Sequence, residues 1–114
     1  MAVGYRLSDA AVENLSDIYN YTRQTWDEVQ ADLYLQSLYA AFKKLVEFPH
    51  GQPARNRRSL PFRMVPTGQH FILYDIVDDQ IIILTVLHQK QDVEKRIAKL
   101  KPKFVALMAN LRGP

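Results

Sequence analysis

Apolar residues recur with helical spacing in the first half of the chain and with the density of β-strands in much of the second. Ala11, Leu15, Ile18 and Thr22 follow at steps of four, three and four, which puts them on one face of a helix. Ser8 or Asp9 is placed to cap its start, and Asp9, Glu13 and Asp17 lie toward its N-terminal half, where the macrodipole favours acids. Trp26-Asp27-Glu28 interrupts the pattern. Asp27 followed by Gln30 fits a capping box that opens a second helix with the apolar face Ala31, Tyr34, Leu35, Leu38, Phe42, Leu45 and Phe48. So short a connection predicts an antiparallel helical hairpin, ended by Pro49-His50-Gly51. Ahead of it, Val3 to Leu7 reads as a short strand.

Gln52 to Leu60 reads as a basic loop and Phe62 to Val65 as a strand, with a turn at Pro66-Thr67-Gly68. Gln69 to Val77 and Gln80 to His88 are rich in β-branched and aromatic residues and are joined by Asp78-Asp79, which predicts a tight hairpin. The second of these strands is apolar on both faces, as a central strand would be. Val93 to Lys101 is helical in pattern. Pro102 is expected to break that helix or begin a new turn, and Phe104, Val105, Leu107, Met108 and Leu111 form a further apolar helical stretch. The stripe Phe104, Leu107, Met108 and Leu111 has two readings. It covers the sheet as core, or it is an exposed groove wall that receives a partner helix. The expected class is α+β: an N-terminal strand and helical hairpin on a mainly antiparallel sheet, with a C-terminal helix.

A length of 114 residues predicts one domain spanning 1–114, with a C-terminal helical extension at about 93–111. The chain has no cysteine, which removes disulfides, thiolate metal sites and cysteine nucleophiles. The start MAVGYRLSD has no apolar signal region, and the longest apolar run, Ile81 to Leu84, is strand-sized. A cytoplasmic protein without membrane contact is expected. The net charge of +3 is unevenly spread. Residues 1–48 carry seven acids and four bases, and residues 49–74 carry four arginines and no acid. From Asp75 onward there are seven bases and five acids. A central segment with Arg55, Arg57, Arg58 and Arg63 points to an acidic partner, nucleic acid or protein.

Three histidines show no ligand spacing, and four glycines form no phosphate-cradling loop, so no metal or cofactor is expected. His70 begins a strand, where it can bond the adjacent turn. His88 ends one, where it can cap the next segment or pair with Asp92. Either could instead be an acid or base. His50 reads as a loop residue and Trp26 as core or staple. Tyr19, Tyr21, Tyr34 and Tyr39 read as helix packing with hydroxyls reaching solvent.

Taken in order, these landmarks resemble the ParE branch of the ParE/RelE toxin superfamily. Leu7, Ala10 or Ala11, Asn14-Leu15, Ile18, Tyr21-Thr22, Trp26, Ala31, Tyr34 and Leu38 follow the branch's helical pattern. Pro49 and Gly51, Phe62-Arg63 with Pro66, Gly68-Gln69-His70 with Ile72 and Tyr74, and Ile81, Ile83, Leu87-His88 with Asp92 follow its sheet. The resemblance covers residues 5 to 92. Ser59-Leu60-Pro61 departs from the usual approach to the arginine, and Thr85 stands where the superfamily usually has an arginine.

The resemblance implies a type II toxin, encoded on plasmids or chromosomes, that binds DNA gyrase. A ParD-like ribbon-helix-helix antitoxin would neutralise it, and any DNA contact would come through the antitoxin complex. Arg55, Arg57, Arg58, Arg63 and His88 are the expected partner contacts, and the C-terminal stripe is a candidate antitoxin groove. The RelE branch shares the fold and cleaves mRNA. That reading needs Arg63 on phosphate, His70 or His88 as acid or base and Arg55 as a second cation, and it lacks both the arginine at Thr85 and a tyrosine after Tyr74. A degenerate member that only binds its antitoxin and helps repress their operon is a third reading.

Overall fold

The computed structural model describes residues 2–49 and 62–113. The basic segment with Arg55, Arg57 and Arg58, and the residues His50 and Gly51, lie outside the described residues. The elements run β1 (Gly4–Leu7), α1 (Asp9–Thr25), α2 (Glu28–Glu47), β2 (Arg63–Thr67), β3 (His70–Val77), β4 (Gln80–His88) and α3 (Val93–Leu111). The sheet order is β1-β4-β3-β2, with β1 parallel to β4 and the remaining pairs antiparallel.

Local chemistry starts and stops these elements as the pattern predicts. The Ser8 hydroxyl accepts from the backbone N–H of Ala11, and the Asp27 carboxylate accepts from that of Gln30. Asp92 caps α3 in the same way through Lys95. Asp78 and Asp79 have φ of 50° and 61°, the left-handed pair of a type I′ turn, which matches the twist of β3 and β4.

One face of the sheet packs on the helical hairpin through Leu15, Leu38, Phe42, Leu45, Ile72, Tyr74, Ile81 and Ile83. The other packs on α3 through Met64, Leu73, Ile82, Leu84, Ile97, Phe104 and Met108. β4 lies between β1 and β3 and is buried from Ile81 to Leu87, which accounts for its apolar run. None of the described helices is long and apolar enough to cross a membrane.

Three expectations are corrected. Pro102 neither breaks nor restarts a helix, because α3 runs through it. Ile97, Phe104 and Met108 form one buried face across the proline, and Pro102 and Ala98 are exposed, so the carbonyl that loses its partner faces water. Pro66 lies within β2 and not in the turn, which is tolerated because β2 is an edge strand in the described sheet. Phe48 is the exposed C-cap of α2 and takes no part in its apolar face.

Candidate functional site

A bulge in β4 decides where the histidines point. Leu73 pairs with Thr85 and Tyr74 with Ile83, so Leu84 is the extra residue. Before the bulge, odd-numbered residues of β4 face the hairpin (Ile81, Ile83) and even-numbered ones face α3 (Ile82, Leu84). After it the parity inverts, with Val86 on the hairpin side and Leu87 on the α3 side. His88 therefore joins the hairpin face and stands opposite His70, the ring centroids 5.0 Å apart and edge to face. With regular pairing His88 would turn toward α3.

Tyr34 ties α2 to this end of the sheet. Its hydroxyl accepts from the backbone N–H of Gln69 at 3.1 Å and lies 2.5 Å from Nδ1 of His70. The imidazole's tautomer sets which of the two groups donates in this bond. Gly68 is required here twice over. Its φ is +57°, and a Cβ would meet the Tyr34 hydroxyl at 2.9 Å. The Gln89 side chain adds a clamp, donating to the carbonyls of Gly68 and His70. His88 accepts from the backbone N–H of Lys90 through Nδ1, so it caps the following turn, while Asp92 is used on α3.

His70 is 8% exposed, and burial, reinforced by the neighbouring His88, lowers its pKa to about 4. The unfolded chain binds a proton at this residue below about pH 6.5, and the folded chain does not until near pH 4. Stability from this residue is therefore complete above pH 6.5 and declines as the pH falls toward 4. Urea denaturation is expected to show a loss of about 2 kcal/mol between pH 7 and pH 5 that the His70→Gln variant lacks.

Beside this cluster lies an open cleft of about 550 Å³ between the hairpin and the sheet end. Its floor includes Ile18, Thr22 and the two histidines, and its rim includes Asp17, Tyr21, Trp26 and Gln30. Trp26 is 74% exposed and Tyr21 66% exposed, which corrects the reading of Trp26 as core and of Tyr21 as helix packing. Trp26 is the C-cap of α1, beyond the last helical turn and off the buried stripe.

The family model for the ParE toxin of the type II toxin–antitoxin system parDE matches residues 5–93. The chain belongs to the ParE toxin family. It is 35% identical over 94 residues to a protein named Toxin ParE1 from Caulobacter vibrioides, covering 82% of this chain and 96% of that relative. A Toxin ParE1 from Mycobacterium tuberculosis is 30% identical over 98 residues, covering 85% of this chain and all of the relative. A solved structure titled as the chromosomal ParDE system from P. aeruginosa aligns with a TM-score of 0.67 at 16% identity, covering 75% of this chain and 94% of that one; it shares the fold.

In this ParE chain the residues singled out from sequence fall into separate places. His70 and His88 are together. Arg63 is opposite Tyr74, four residues along β3 from His70, or about 13 Å at the usual rise of a strand. Thr85, at the superfamily's arginine position, is 1% exposed, and its hydroxyl donates to the Asn14 side chain at 2.6 Å. The same Asn14 oxygen accepts from the backbone N–H of Val86 at 3.1 Å. Phe104 and Met108 are buried in the core under α3, and Leu107 and Leu111 are half-buried at its border. Sequence reasoning did not single out Asn14 or Gln69 for these bonds. Their one available signal, a polar residue beside an apolar stripe, is common on helices and turns.

Proposed function

We propose that this toxin acts by binding DNA gyrase without catalysing a reaction, and that a ParD-like antitoxin of the ribbon-helix-helix kind neutralises it in the cytoplasm. DNA contact then comes through the antitoxin complex. One observation carries the non-catalytic reading: among the described residues, the backbone positions of the groups an RNase of this fold would use are spread along the sheet. Arg63 is about 13 Å along the sheet from the histidine pair. His70 is held neutral at pH 7, so it is not the imidazolium that would serve as general acid to a leaving oxygen. Position 85 is filled by a threonine committed to Asn14. The titled ParDE neighbour supports an antitoxin of the ParD kind.

Expression alone is expected to arrest growth and co-expression with the antitoxin to relieve it, with cellular mRNA left intact. Codon-positioned mRNA cuts during the arrest would favour the RelE-like reading. No arrest, with the antitoxin still bound, would favour the degenerate one.

The arginine-rich segment is proposed to meet the antitoxin's acidic tail. Replacing Arg55, Arg57 and Arg58 together by alanine is expected to weaken antitoxin binding by about 1 kcal/mol or more, with a larger effect at low salt. Calorimetry at two salt concentrations checks this, and unchanged affinity at both would remove the segment from the interface.

A further inference from the structure

We propose that the cleft at the open end of the helical hairpin is a receptor for an arginine side chain of a protein partner. This inference is independent of which target or antitoxin the chain engages.

The rim carries the first argument. Asp17 and Tyr21 are four residues apart on α1 and so lie on one face, and Trp26 and Gln30 face the same cleft from the hairpin junction and α2. Two exposed aromatic rings beside a carboxylate are what a guanidinium uses, stacking flat on a ring while its N–H groups reach the carboxylate. An ammonium can use the charge but not the stacking, so arginine is the better fit than lysine.

Charge carries the second. From Asp9 to Asp32 the chain has six acids, Asp9, Glu13, Asp17, Asp27, Glu28 and Asp32, against the single base Arg23. The chain as a whole is basic, so the hairpin is an acidic exception on it. An approaching cationic segment is attracted and a phosphate backbone repelled. This favours a protein partner over a nucleic acid, although the aromatic rim alone would suit a base.

The third argument is rigidity. Tyr34, Gln69 and Gln89 lock the turn that forms the cleft's inner end, so a side chain entering it meets a built wall and not a loop that must first order. Burial keeps His70 neutral at pH 7, so it adds no positive charge to repel a guanidinium.

The chain has one tryptophan, so fluorescence of Trp26 reads the site directly. The probes are short alanine-based peptides, capped at both ends, that differ only in a central arginine, glutamate or glutamine, with adenosine monophosphate as a further arm. The arginine peptide is expected to give a saturable change, at least about tenfold tighter than the glutamate peptide, through stacking and charge together. Asp17→Asn is expected to weaken it about two- to fivefold and to flatten its salt dependence. Tyr21→Ala is expected to weaken it about threefold or more, with unchanged circular dichroism showing that the fold is kept. Equal binding of the glutamate peptide, preferential binding of adenosine monophosphate, or no saturable change with any probe would each overturn the proposal.

Discussion

Replacing Phe104 by alanine is expected to lower the unfolding free energy by about 3–5 kcal/mol, the range for removing a buried aromatic ring. Phe104 is fully buried, and its ring meets that of Phe62 nearly edge-on, with centroids 6.1 Å apart. Met64, Leu73, Ile82 and Leu84 complete the same core. A domain of this size is stable by about 5–15 kcal/mol in all, so the variant would sit near its unfolding threshold. Val105 on the same helix is exposed, and Val105→Ala is expected to stay within about 0.5 kcal/mol. Urea denaturation of the two variants separates the readings of the C-terminal stripe. A small loss at Phe104 would mean that α3 can leave the sheet cheaply, as a wall that makes way for a partner helix would.

Asn14→Ala is expected to cost about 2–4 kcal/mol, because one side-chain oxygen serves two buried donors, each worth about 1–3 kcal/mol when left unpaired. The parallel ladder between β1 and β4 ends at Leu7 and Ile83. Beyond it, α1 takes over the role of a neighbouring strand. The backbone N–H of Ser8 donates to the Ile83 carbonyl, the Ser8 hydroxyl donates to the Leu84 carbonyl, and Asn14 accepts from Thr85 and Val86. Adding Thr85→Val to Asn14→Ala removes one orphaned hydroxyl and is expected to recover part of the loss, which thermal unfolding of the two variants would measure. If Asn14→Ala costs under about 0.5 kcal/mol, this edge of β4 is satisfied in another way.

The features legible in the sequence are local ones. Ser8, Asp27 and Asp92 cap helices because a short side chain reaches an N–H three residues on, and Asp78-Asp79 turns because it tolerates positive φ. The helical hairpin and the central placement of β4 follow from spacing and apolar density. The site was less legible because it depends on register and reach. His88 faces His70 only because Leu84 is bulged, and nothing in the alternation of an all-apolar strand marks a bulge. Tyr34 looks like one more residue of an apolar stripe, yet its hydroxyl crosses to the β2–β3 turn 35 and 36 positions away. Trp26 looks like core by composition, and its exposure follows from standing one step past the last turn of α1. Pro102 looks like a break, and the buried face that spans it keeps the helix whole.

The central claim is that this fold serves as a binding scaffold and not as an active site. Titration of purified DNA gyrase with the purified toxin, read as supercoiling of relaxed plasmid, tests it most directly. The account predicts that supercoiling falls and levels off as gyrase saturates, that antitoxin restores it, and that mRNA in a parallel translation reaction stays uncut. Unaffected gyrase together with codon-positioned cuts in the translated mRNA would contradict it.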